Sequence, residues 1–159
     1  MPPWQGGGNM IDTVTFDKTT YNDVPNKFEA GTPNLAGAVG LAKAIDYLSQ
    51  IDHSASTAHE NELLRVATQY IESFKDIKIL GNSTSKVSLV SFVVKDKDAD
   101  AVAMELDKFG IAVRSGHMCA QPTLRHFGYD RAVRASFTIY NTLDEVKTLF
   151  NSLKKLGIR

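Results

Sequence analysis

Gly110-Ile-Ala-Val-Arg114, running on into Ser-Gly-His-Met-Cys119-Ala-Gln-Pro122, is the passage from which the rest of the chain can be placed. Gly110 suits the left-handed residue that ends a helix. The apolar and β-branched residues after it predict a short buried strand over 110–114. Residues 122–128, Pro-Thr-Leu-Arg-His-Phe-Gly, predict a short helical turn with proline near its first position. Between strand and turn lies the sole cysteine, Cys119, on a loop from which a side chain can be presented to a partner site.

Working back from Gly110, residues 98–109 carry Val102, Met104, Leu106 and Phe109 and are predicted helical. Ile77-Lys-Ile-Leu80 and Val87-Ser-Leu-Val-Ser-Phe-Val-Val94 have strand composition and are joined by the turn-rich Gly81-Asn-Ser-Thr-Ser85. A longer helix is predicted over 54–74, where Leu64, Ala67, Ile71 and Phe74 recur at helical spacing. Asn34 is a candidate cap for a helix reaching residue 50, with Leu35, Val39, Ala42, Ala44, Ile45 and Leu48 as a broad apolar face.

Forward from the cysteine, residues 132–140 predict a further strand. Thr142-Leu-Asp-Glu145 then has the form of a capping box. The helix it opens is expected to bury Leu143, Val146, Leu149, Phe150 and Leu153, and Gly157 ends it. Four strand signals interspersed with helices predict an α+β layer, an open sheet covered on one side.

The first 34 residues differ, with Pro2, Pro3, Gly6, Gly7, Gly8, Pro25, Gly31 and Pro33 crowded among them. Ile11-Asp-Thr-Val-Thr-Phe16 alternates like a half-buried strand. No hairpin turn or second strand is evident beside it, so the segment is expected to be mobile or to need a sheet outside the chain.

The chain has 159 residues, one domain's worth, with 43% hydrophobic and 23% charged residues. Lys+Arg 18 against Asp+Glu 18 leaves no formal net charge, which argues against an electrostatic nucleic-acid or membrane binder. A single cysteine cannot form an internal disulfide and fits a reducing compartment. No apolar run approaches the roughly 20 residues of a membrane span, and the start lacks the regions of a signal peptide. A cytoplasmic location is the expectation.

A cysteine reacts as the thiolate, which exposure and a cationic neighbourhood favour. Arg114 and His117 lie close in sequence, and His117 could also deliver a proton; the other reading of Cys119 is a buried, inert hydrophobe. Arg134 opens a strand of Ala, Phe, Ile and Tyr, where it either reaches solvent or grips a carboxylate with two parallel hydrogen bonds. Gly31 and Thr32 precede a helix start, as an ordinary loop and cap or as amides and a hydroxyl facing an anion. The four histidines, His53, His59, His117 and His126, are not spaced as a zinc site, so no metal is expected.

Three stretches in register carry a resemblance over essentially the whole chain: Gly6-Gly-Gly-Asn-Met-Ile11 leading to Phe28-Glu-Ala-Gly-Thr-Pro-Asn34, the cysteine passage 114–122, and Arg134-Ala-Ser-Phe-Thr-Ile-Tyr-Asn141. Together they resemble the SUF-type cysteine desulfurases, pyridoxal-phosphate enzymes of aminotransferase class V. The resemblance implies the C-terminal small domain of a fold-type I enzyme, with a small, open, mostly antiparallel sheet over 35–159. Residues 1–34 are then a remnant of the large cofactor domain, and the chain a stretch cut from within the enzyme.

It further implies that Cys119 receives sulfur from L-cysteine as a persulfide. Arg134 holds the substrate carboxylate, with Arg114 a second candidate. Gly31 and Thr32 touch the cofactor phosphate across a homodimer, and a carrier protein takes the sulfur for iron–sulfur cluster assembly. A selenocysteine lyase is a variant of the same reading. Two departures stand out. Met118 occupies a position where the family often has a second histidine, and no histidine is followed by the lysine that would bind pyridoxal phosphate covalently. The chain alone is therefore expected to be inactive. A stand-alone binding module and a thiol redox sensor are the readings from other classes.

Overall fold

The strand read near the N-terminus does have a partner. In the computed structural model, which describes residues 1–81 and 83–159, β1 (Ile11–Val14) pairs antiparallel with β2 (Thr19–Tyr21), Thr13 facing Thr20 and Val14 facing Thr19. The turn between them contains no glycine, proline or asparagine, which is why it was not visible as a hairpin. Thr15 closes it instead: its N–H and its hydroxyl both donate to the Lys18 carbonyl at 2.9 Å, and its Oγ1 accepts the Lys18 N–H at 3.0 Å. Phe16, placed in the strand by alternation, sits in this turn, fully exposed. The missing-partner reason for expecting mobility is thereby removed.

Helix α1 (Leu35–Leu48) starts where Asn34 Oδ1 accepts the Gly37 N–H at 2.8 Å. A Cβ on Gly37 would lie 2.4 Å from Asn34 Nδ2, so a larger residue there would oblige the capping side chain to shift. The apolar face is present in sequence yet buries nothing: Leu35, Val39, Leu41 and Ile45 are all exposed. The chain forms two units, Met1–Ile51 and Asp52–Arg159.

In the second unit, Asp52 caps α2 (His53–Glu72) and Asp98 caps α3 (Ala99–Asp107), each carboxylate accepting two backbone N–H groups. The capping box at Thr142 and Glu145 forms as expected and opens α5 (Leu143–Lys155). The strands are β3 (Ile77–Ile79), β4 (Leu89–Val94), β5 (Arg114–Gly116) and β6 (Ala132–Ser136), with α4 (Gln121–His126) between β5 and β6. Their order is β3-β4-β6-β5, and every neighbouring pair is antiparallel. The α+β class and the open antiparallel sheet are as expected.

Alternation divides this sheet into two surfaces. Val90, Phe92 and Val94 of β4 and Val133 and Ala135 of β6 pack against α2, α3 and α5 in the main core. At its centre the fully buried Phe150 stacks on Tyr70, ring centroids 5.4 Å apart. On the opposite surface, Val93 and Ala132 meet Leu124 of α4 in a smaller cluster flanked by Leu80 and Tyr129. The sheet is thus covered by three helices on one face and by one short helix over part of the other.

Three local readings are corrected. The strand at 110–114 lies later: β5 runs from Arg114 to Gly116, while Ile111 and Val113 pack against the core without a ladder. Their β-branched side chains signalled burial, not pairing. β6 ends at Ser136, after which Thr138 turns the chain by donating its N–H to Asn141 Oδ1 at 3.0 Å. Leu143, at the first position of α5, is exposed. Within the turn read at 81–85, Asn82 lies outside the described residues.

Candidate active site

Val133 and Ala135 face the helices, so Arg134 between them projects from the other surface of the sheet. Its register partners are Ser91 on β4 and Arg114 on β5. Directly opposed residues hold their Cβ atoms about 4.5–5.5 Å apart, and like charges in that relation repel. Arg134 is half-buried, and its Nε is buried with no hydrogen-bond partner among the described residues. A buried donor left unpaired costs about 1–3 kcal/mol. A carboxylate laid against this row would offset the repulsion between the guanidinium groups.

Three residues past β5 comes the thiol. Gly116 takes φ 111°, which only glycine adopts easily, and it begins a tight loop. The Ala120 N–H donates to the His117 carbonyl at 2.8 Å, and the Cys119 N–H donates to His117 Nδ1 at 3.0 Å. Met118 and Cys119 both lie in the left-handed region, at φ 55° and 57°. That conformation costs a non-glycine residue roughly 1–2 kcal/mol each, about what the two hydrogen bonds return. Cys119 is exposed, so the thiol is not a buried core residue of this chain.

The loop's entrance is held by a group that sequence reasoning missed. Arg131, just before β6, forms an ion pair with Asp100 in the first turn of α3. A Cβ on Gly116 would lie 3.7 Å from that guanidinium. The hydrogen bond from Arg131, and after it one from Ser115, holds the Asp100 carboxyl below the usual aspartate value. Asp100 in turn raises Arg131 above the usual arginine value. The two partners stand 31 positions apart, so no local pattern announced them; an acid in a helix's first turn was the one available signal.

The remaining candidates, Gly31 and Thr32, belong to the first unit. Gly31 (φ 84°) donates its N–H to the Gly7 carbonyl at 3.1 Å, and a Cβ on Gly8 would lie 3.1 Å from Gly31 Cα. The glycine run thus allows two backbones to touch. Thr32 is exposed, and its hydroxyl makes no intramolecular hydrogen bond among the described residues. Of the other histidines, His59 Nε2 lies 2.9 Å from the Asn141 carbonyl and His126 sits edge-on to Phe127. Among the described residues no cluster of His, Cys, Asp and Glu could hold a metal ion. A cleft of about 630 Å³ beside Lys78, Lys95, Tyr129 and Arg131 does not include Cys119, Arg114 or Arg134 in its lining.

Comparison with known proteins gives the class first. The model of the aminotransferase class-V family matches residues 1–149, and the chain belongs to that family. Within it the similarity is to cysteine desulfurases. The chain is 44% identical over 157 residues to "Probable cysteine desulfurase 1" of Mycobacterium leprae, covering 99% of this chain and 26% of that one. It is 45% identical over 155 residues to "Probable cysteine desulfurase" of Vibrio cholerae, covering 98% and 38%. Its fold matches the crystal structure of the cysteine desulfurase CsdA (S-sulfonic acid) from Escherichia coli with a TM-score of 0.86, at 34% identity, over 98% of this chain and 38% of that one. The chain spans between a quarter and two fifths of the length of these relatives.

Proposed function

We propose that this chain is the small-domain portion of a pyridoxal-phosphate-dependent cysteine desulfurase, with residues 1–34 contributed to its large cofactor domain. It supplies the thiol that accepts sulfur from L-cysteine and the arginines that hold the substrate's carboxylate. One observation carries the reading. The strand that leads to the exposed Cys119 begins at Arg114, directly across from Arg134 with its orphaned buried Nε. The anion site is thus read as spanning β5 and β6, with the nucleophile on the loop that follows β5.

Pyridoxal phosphate, when bound, withdraws electrons from the substrate and makes its carbon–sulfur bond labile. In this chain the Thr32 hydroxyl and amide are the groups that would meet its phosphate, since the Gly31 N–H is already engaged with Gly7. The covalent lysine is left to the remaining length of the enzyme. Arg134 and Arg114 orient L-cysteine by its carboxylate, and the Cys119 thiolate attacks the substrate sulfur. A sulfur–sulfur bond forms and the carbon–sulfur bond breaks. Its electron pair stays with the carbon fragment, which takes up a proton and leaves as L-alanine.

The persulfide on Cys119 then passes its outer sulfur to an acceptor protein, in service of iron–sulfur cluster assembly. Exposure of Cys119 supports transfer to a second protein. The enzyme is read as a cytoplasmic homodimer, with selenocysteine as a variant substrate. No described helix is long and apolar enough to cross a membrane.

Kinetics of the complete enzyme test the reading. Cys119→Ala should abolish persulfide formation and leave the cofactor spectrum unchanged. Arg134→Lys should raise KM for L-cysteine by one to two decades, since losing a charge-assisted hydrogen bond costs about 1.5–3 kcal/mol. Undiminished persulfide in Cys119→Ala, or an unchanged KM in Arg134→Lys, would defeat it.

A further inference from the structure

We infer that His117 is a positioning residue for Cys119, acting through the backbone and not by proton transfer. The inference rests on the reading of Cys119 as the sulfur acceptor. His117 Nδ1 accepts the Cys119 N–H at 3.0 Å, so the ring nitrogen nearer the main chain is occupied as an acceptor. A side chain that accepts the N–H two residues ahead makes the bond of an Asx turn, with the imidazole in the place usually taken by asparagine or aspartate. Nδ1 and an asparagine Oδ1 are the same number of bonds from Cα.

The bond has a specific task. Met118 and Cys119 stand consecutively in the left-handed region, at φ 55° and 57°. Methionine and cysteine have none of the preference for that region that asparagine, aspartate and histidine show. Nothing intrinsic to either residue keeps the thiol where it is. Of the two hydrogen bonds that close the loop, one joins backbone atoms, His117 O and Ala120 N, and is available to any residue at 117. The other depends on the side chain and ends on the amide of the reacting residue itself. Removing it lets Cys119 return to ordinary φ and carries Sγ away from its present direction, with the arginine row undisturbed.

The test compares His117→Ala, His117→Asn and His117→Gln in the complete enzyme. It measures single-turnover persulfide formation, KM for L-cysteine, and hydrogen exchange of the peptide spanning 114–122. Loss of the bond in His117→Ala should slow persulfide formation about tenfold at saturating cysteine, the worth of one hydrogen bond. KM should stay within about twofold, because the carboxylate row is intact, and exchange in the loop should quicken. His117→Asn should restore rate and protection, because its oxygen sits where Nδ1 does. His117→Gln, with the acceptor one bond further out, should not.

A His117→Asn enzyme as slow as His117→Ala would overturn the inference in favour of proton transfer, and an unimpaired His117→Ala would overturn it outright. If persulfide still accumulates in Cys119→Ala, the functional reading fails instead. The exchange data on the Ala, Asn and Gln variants then still judge whether His117 orders the loop.

Discussion

Replacing Arg134 by methionine should stabilise the folded chain while crippling the site. Methionine keeps most of the unbranched stem that lies on the sheet and removes the guanidinium. Its removal eliminates a buried donor with no partner, worth about 1–3 kcal/mol. It also eliminates a like-charge pair directly opposed across β5 and β6, worth about 0.2–1 kcal/mol. The net expectation is a gain of about 1–4 kcal/mol, large beside the 5–15 kcal/mol typical of a whole domain.

Arg114→Met is the control: its side chain is exposed, so only the smaller, repulsive part is recovered. In the double variant that part cannot be removed twice, and the gains should sum to less than the singles. Urea unfolding followed by amide exchange at Val133 and Ala135 reads the free energy of the sheet itself. If Arg134→Met lowers stability, or gains no more than Arg114→Met, then Arg134 is satisfied in the folded chain and the anion-site argument fails.

Thr142→Ala should cost about 1 kcal/mol by removing the cap of α5, with Thr142→Ser retaining most of it; the urea midpoint reports both. Phe150→Ala should cost about 3–5 kcal/mol through the cavity left beside Tyr70 and Phe74, and loss of cooperative thermal unfolding would register it. Asp100 should titrate below a free aspartate in an NMR pH series and move back up in Arg131→Met. Because its folded value is depressed, the contribution of the Asp100–Arg131 pair is complete above the ordinary aspartate pKa of about 3.9 and fades as pH falls through the lower folded value.

Helices and the main core were legible because their signals are local: caps at Asn34 and Thr142, a glycine at 110, and helical spacing along 64–74. The hairpin of β1 and β2 was not, since a threonine side chain closes it where glycine or asparagine is expected. The apolar stripe on α1 was read correctly as a pattern, yet it finds no burial in this chain. Periodicity tells which face is apolar and says nothing about what covers it. Within the site, Cys119, Arg114 and Arg134 could be picked out by residue type and by resemblance. Their arrangement could not: the opposition of the two arginines depends on β5 starting at Arg114, and the sequence placed that strand four residues early. Asp100 with Arg131, and the bond from Cys119 to His117, are products of tertiary contact and of a backbone conformation that composition does not encode.

The central claim, that Cys119 takes the sulfur of L-cysteine, is met most directly by following that sulfur. The complete enzyme is given isotopically sulfur-labelled L-cysteine, alkylated without reductant, digested and analysed by mass spectrometry. The account predicts the labelled atom as a persulfide on the peptide that holds Cys119, with an equivalent of L-alanine released. Label confined to free sulfide or to another residue, with the Cys119 peptide unmodified after turnover, would contradict it.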